Sequence, residues 1–217
     1  MKSDLNLQED VAEELSFDPS VDASRIGVAA KDGVVTLTGK VPSYAEKIAA
    51  EKAAKRVAGV KAVAQDVEVE LPAFHQRNDT DLAAAALNVL AWEITLPKDS
   101  INVKVEHGWV TLEGRVDWQF VRGNAERAVR NLIGVTGVSN HITVTPHVVA
   151  GDVNDKIRKT FVRSAEIDAN RVIVETSNDT VKLYGSVHSW TEHDDASRAA
   201  YSVPGVTKVE NHTLVSI

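Results

Sequence analysis

The chain repeats itself. Val34-Val35-Thr36-Leu37-Thr38-Gly39, Trp109-Val110-Thr111-Leu112-Glu113-Gly114 and Thr180-Val181-Lys182-Leu183-Tyr184-Gly185 are three versions of one segment, each closed by glycine. Gly114 stands 75 residues after Gly39, and Gly185 stands 71 after Gly114. The same offsets carry Gly59-Val60 onto Gly134-Val135 and Gly205-Val206, Ile26 onto Ile101 and Val172, and Val63 onto Val138 and Val209. No gap is needed inside a unit, so the difference of four residues falls in the linkers. A repeat of this length is one supersecondary unit used three times.

Each unit reads helix, strand, strand, helix, strand. Leu7, Val11 and Leu15 recur at helical spacing, matched by Leu82, Ala86, Leu90 and by Val153, Ile157, Phe161, and mark the core stripe of a first helix. Ile26, Val28, Ala30 and Ile101, Val103, Val105 alternate as a half-buried strand does. Lys31-Asp32-Gly33 and Glu106-His107-Gly108 supply a tight turn, and Asn178-Asp179 takes that place in the third unit. The second helix starts near Tyr44, Gln119 and Trp190 and ends at Gly59, Gly134 and Gly205. A strand-helix-strand crossover favours parallel pairing, so the sequence predicts an α+β protein of three tandem αββαβ units. Each unit would be a small mixed three-stranded sheet with two helices on one face. The units are placed at 1–72, 78–146 and 151–217. At about 65 residues such a unit is marginal alone, and packing between units or chains is expected.

Composition removes several classes of function. The 217 residues include no cysteine, which excludes disulfides, thiolate nucleophiles and Cys-ligated zinc. A formal net charge of −7 disfavours nucleic acid as a partner. Gly134-Val135-Thr136-Gly137 fits the GxxG of an RNA-binding loop in letters only, since it joins a helix to a strand. The start, Met1-Lys2-Ser3-Asp4-Leu5-Asn6, has no apolar core of a secretory signal, so a cytoplasmic location is expected unless a signal was removed upstream. No nucleophile elbow, phosphate-binding glycine loop or HExxH motif is present, and the expectation is a protein that is not an enzyme and carries no cofactor. His188, Glu192, His193, Asp194 and Asp195 form the densest group of possible metal ligands, but they sit at a helix start without a second ligand helix, and no metal site is assigned. His141 and His212 stand at equivalent strand positions, with Asp66 in the first unit, which suits a sheet face.

The V-x-L-x-G strand ending, the helix after it and the Gly-Val-x-x-V opening of the last strand, with Asn140 or Asn211 downstream, resemble the BON domain. The resemblance covers nearly the whole chain three times. It implies a non-enzymatic module associated with phospholipid surfaces, osmotic and envelope stress, and transport assemblies. It also admits a second reading, a soluble cytoplasmic ligand or cation sensor.

Differences among the three copies point to surfaces. The first helix of unit one is acidic at Glu9, Asp10, Glu13 and Glu14, whereas that of unit three carries Lys156, Arg158, Lys159 and Arg163. Lys156, Lys159 and Arg163 share one helical face and are the candidate contact for an anionic phospholipid surface or a membrane-associated protein. The first helix of unit two is apolar nearly all round, which implies burial on more than one side. Leu87, Val89, Trp92, Trp109, Trp118 and Phe120 are therefore the candidate interface, between units or between copies in a homo-oligomer.

Overall fold

The computed structural model describes residues 3–96, 100–145, 157, 159–160, 171–177, 179–203 and 206–215. The first unit runs α1 (Asp4–Phe17), β1 (Ile26–Lys31), β2 (Val34–Val41), α2 (Tyr44–Arg56) and β3 (Ala62–Val69). The second runs α3 (Asp79–Trp92), β4 (Ile101–Glu106), β5 (Trp109–Val116), α4 (Gln119–Arg130) and β6 (Gly137–Val144). In the third, Ile157, Lys159 and Thr160 are helical, and β7 (Val172–Ser177), β8 (Thr180–Val187), α5 (Trp190–Tyr201), β9 (Lys208–Asn211) and β10 (Leu214–Val215) follow.

Each sheet is mixed. β1 pairs antiparallel with β2 through a hairpin, and β3 returns from the α2 crossover to pair parallel with the other edge of β2. The hairpins are two-residue turns in which Asp32 and Gly33, and likewise His107 and Gly108, all have φ between 51° and 86°. This left-handed pair matches the twist of the flanking strands. The register repeats from unit to unit: Ile26 faces Gly39, Ile101 faces Gly114 and Val172 faces Gly185.

That register explains the repeated glycine. Gly39, Gly114 and Gly185 have φ of 128°, 155° and 115°. A Cβ at these positions would lie 2.0, 2.1 and 2.0 Å from the carbonyl oxygens of Arg25, Ser100 and Arg171, where the chain enters the first strand. No side chain fits so close to a backbone oxygen. Gly59 and Gly134 follow the second helices with φ of 102° each, while Gly205 lies outside the described residues.

Both helices of a unit lie on one face of its sheet. Leu7, Val11 and Leu15 of α1, Val35, Leu37 and Val41 of β2, and Ala50, Ala53 and Ala54 of α2 form one buried cluster. Leu82, Ala86 and Leu90 with Val110, Leu112, Val116, Val121, Ala125 and Val129 repeat it in unit two. Ile157, Val181, Leu183, Ala196 and Ala200 belong to the third core, with Val153 and Phe161 outside the described residues. Ala50, Ala125 and Ala196 are equivalent and wholly buried, so the second helix lies close on its sheet.

A polar clamp also ties the last strand to the second helix. Gln65, Asn140 and Asn211 occupy one position, and their amides donate to the carbonyls of Lys47, Arg122 and His193 at 2.7, 3.0 and 2.8 Å. In unit three the Asn211 side chain also accepts from the Thr213 N–H at 3.0 Å and its hydroxyl at 2.7 Å. The single last strand expected there is two pieces, β9 and β10, both parallel to β8.

The units meet through their second helices. Tyr44, at the start of α2, packs against the core of unit two, and Trp190, at the start of α5, packs against the core of unit one. The inter-unit burial expected for the first helix of unit two is corrected by this arrangement. Only Leu82, Ala86 and Leu90 of α3 are buried, while Leu87 and Trp92 are 52% and 88% exposed. With the second helices making the seams, α3 keeps an open outer face.

Candidate functional site

Two carboxylate bonds fix the direction of α3. Asn78 caps the helix by accepting the Asp81 N–H at 2.7 Å, and Asp79 accepts the N–H groups of His107 at 2.8 Å and Gly108 at 2.9 Å. Those two hydrogen bonds hold the Asp79 carboxyl below the usual aspartate range. They also pin the start of α3 to the hairpin turn, so its end lies where β5 finishes and α4 begins. Asn124 of α4 donates to the Thr95 hydroxyl at 3.2 Å and ties the segment after α3 to that same end.

Large apolar side chains are exposed at the end of α3 and at the start of α4. Trp92 ends α3 and Ile94, two residues on, is 96% exposed. Trp118 and Phe120 begin the second helix of the unit, 39% and 55% exposed, with ring centroids 6.4 Å apart and planes 29° from parallel. Arg115 and Arg122 flank this pair in sequence, and Arg122 reaches the Asn140 carbonyl at 3.2 Å.

Trp118 occupies a position that the other units give to a helix cap. Ser43 accepts the Glu46 N–H and Ser189 the Glu192 N–H, both at 3.2 Å, whereas the Trp118 side chain makes no cap bond to α4. Replacing a serine cap with a residue that cannot accept costs about 0.5–2 kcal/mol of helix stability. Unit two bears that cost and shows an indole at its surface.

The six residues expected to form one interface do not share one surface. Trp109 begins β5 beside the hairpin, and seven residues of strand, about 23 Å, separate it from Val116 at the aromatic end. Its indole lies over Gly137, where a Cβ would come within 2.4 Å of the ring, and donates to the Ser139 hydroxyl at 2.9 Å. Val89 is partly buried against the core of its own unit. Trp118 and Phe120 stack on each other, Trp92 and Ile94 stand exposed at and just beyond the end of α3, and Leu87 is exposed on that helix. Of the basic face in unit three, Lys159 is helical and exposed, while Lys156 and Arg163 lie outside the described residues.

His188 and His193 are engaged locally. His188 Nδ1 is 2.9 Å from Glu192 Oε2, which also accepts the His188 N–H at 2.6 Å, and Arg171 contacts the other ring nitrogen. His193 meets the Trp190 ring edge-on and lies 3.3 Å from Asp194, whose carboxyl that contact holds down. His141 and Asp66 are exposed on the open sheet face, and His212 stacks on Tyr184. Among the described residues no group of three His, Asp or Glu is placed to hold a metal ion.

The repeated register, the glycines under the crossing carbonyls and the clamp of each last strand together define the unit. The BON domain pattern matches residues 3–70, 78–146 and 150–216. The chain belongs to the BON domain family. Among curated proteins this BON chain is similar to osmotically-inducible protein Y of Escherichia coli (strain K12), 28% identical over 142 residues, which is 62% of this chain and 71% of that one. Similar solved structures include CdsD, a structural protein of the type III secretion system of Chlamydia trachomatis. It is 15% identical, covering 96% of this chain and 91% of that chain with a TM-score of 0.26. The C-terminal domain of the same protein is 14% identical over all of both chains, with a TM-score of 0.27. Superpositions at those scores carry no argument about this BON chain.

Sequence reasoning missed Tyr44 and Trp190 as joints and Gln65, Asn140 and Asn211 as clamps. For the clamps the signal was available, since Gln65, Asn140 and Asn211 fall at one position of the repeat and all carry a side-chain amide.

Proposed function

We propose that this BON-repeat chain is a non-enzymatic binding protein that seats the aromatic end of its second unit on a phospholipid surface, within a stress- or transport-linked assembly. One observation carries the reading. Trp118 stands exposed where a serine would cap α4, stacked with exposed Phe120, in the unit whose α3 also ends on exposed Trp92 and Ile94. Indole and phenyl rings suit the boundary between headgroups and acyl chains, where one part is wet and the other apolar. No helix among the described residues is long and apolar enough to cross a membrane, so the contact is peripheral. The kinship to an osmotically inducible protein supports the stress-linked setting.

Trp118→Ser separates this reading from a structural role. It restores the cap and removes the indole, so thermal stability is expected to hold or rise while flotation with phosphatidylcholine–phosphatidylglycerol vesicles falls severalfold. Trp92→Ser is expected to deepen the loss. Wild-type protein that stays in the lower fractions at low salt would refute the membrane reading. If sedimentation then shows a dimer that Trp92→Ser dissolves, the patch is a self-association surface.

A further inference from the structure

The second helices carry a repeated cation that the aromatic end does not use. Lys52 of α2, Arg127 of α4 and Arg198 of α5 occupy one position of the repeat. Cations near helix C-termini are ordinary, since they complement the helix dipole. Here Lys52 and Arg130 line one cavity, and Arg127 and Arg198 lie within electrostatic reach of Lys52. Tyr44 and Trp190 hold unit one against units two and three, and the guanidinium groups of Arg130, Arg127 and Arg198 all act on the Lys52 ammonium. Partial burial and that crowding hold Lys52 below the usual lysine range.

Neighbouring cations have carboxylates of their own. Lys55 pairs with Glu51 at 2.7 Å, Arg198 with Asp195 at 2.7 Å, and Arg56 with Glu14 and Asp18 at 2.7 and 3.0 Å. Among the described residues neither Lys52 nor Arg130 has a carboxylate within ion-pair distance. Both line a cavity of about 310 Å³ between the first half of α2 and the end of α4, with Ser43 and Asn131 as further polar walls. Glu46 also lines it as the single carboxylate of the wall, with its Oε1 turned to the Asp22 N–H at 2.8 Å. Two cations against one carboxylate leave the wall of this cavity with an excess of positive charge in a chain of net charge −7.

We propose that this cavity binds a small multivalent oxyanion of the phosphate class, held by Lys52 and Arg130 at the wall, with Arg127 and Arg198 adding to the field. Guanidinium and ammonium groups together suit such an ion, the first by paired donors and the second as a point charge. The site lies on the seam between units one and two, so its occupant would also bridge the units. It does not depend on the membrane reading, which rests on Trp92 and Trp118.

The test is calorimetric titration of the full chain with sodium pyrophosphate at low ionic strength, against sodium chloride at matched ionic strength. Saturable binding at one site per chain is expected, weakened about tenfold by Lys52→Gln or Arg130→Gln, less by Arg127→Gln, and unchanged by Lys104→Gln on the open face of unit two. Lys52→Gln is expected to melt at or above the wild-type temperature because like charges are relieved. A second arm identifies the source of the phosphoryl group. Loss of phosphatidic-acid vesicle binding on adding pyrophosphate, or in Lys52→Gln, assigns it to a lipid headgroup. Vesicle binding that ignores both assigns it to a free phosphate. Heats no larger than those of chloride, or equal affinity in wild type and Lys52→Gln, would overturn the site.

Discussion

An alanine at position 39 would set its Cβ 2.0 Å from the Arg25 carbonyl oxygen, whereas one at position 123 would meet nothing within 4 Å. The two glycines therefore have opposite costs. Gly123 lies inside α4, where glycine is less favourable than alanine by roughly 0.5–1 kcal/mol, so Gly123→Ala is expected to stabilise by that amount. Gly39→Ala combines a left-handed φ with a backbone clash and is expected to destabilise by about 3 kcal/mol. Urea unfolding midpoints of the two variants check both signs. Recurrence in all three units is enough to single out Gly39, and Gly123 has no counterpart glycine in the other two. The crossing carbonyl is not legible in spacing, because it belongs to a residue outside the repeated motif.

At the scale of elements, helices and strands follow from apolar period, since Leu7, Val11, Leu15 and their counterparts must all reach one sheet face. Period does not say what a helix shows on its other side. α3 is rich in alanine and leucine and reads as buried all round, yet its outer face is open, because the neighbouring units dock elsewhere. How α3 is held in place has a pH signature. The Asp79 carboxylate accepts two hairpin N–H groups and is lowered by them. A depressed folded-state pKa gives stability that is fully present above the unfolded value and is lost as pH falls through the folded one. Unit two is therefore expected to weaken as pH drops below the ordinary aspartate range, and Asp79→Asn is expected to lack that part of the acid loss. Hydrogen exchange of the β4–β5 amides at pH 6 and pH 3.5, in wild type and variant, measures the difference.

At the scale of the molecule, the open question is whether the three units unfold as one. Tyr44, Gln119 and Trp190 stand at the same place, the start of a second helix, outside the core stripe of their own unit. Spacing cannot distinguish a first-turn aromatic that packs on a neighbour from one left at the surface, as Phe120 is, so the joints are visible only once the units are placed. Trp190 sits against the unit-one core, with Lys55 5.8 Å from its ring centroid. That contact couples residues of unit one to a side chain more than a hundred positions away. Truncating a large aromatic costs about 3–5 kcal/mol when it is fully buried, and Trp190 is partly buried, so Trp190→Ala is expected to cost about 2 kcal/mol. The place of the loss is the diagnostic result. Amides of α2 and β2 in unit one are expected to exchange faster in Trp190→Ala, although the substitution lies in unit three, while Phe120→Ala leaves them unchanged. If protection in unit one is the same in Trp190→Ala as in wild type, the units are energetically independent and the seam is contact without coupling.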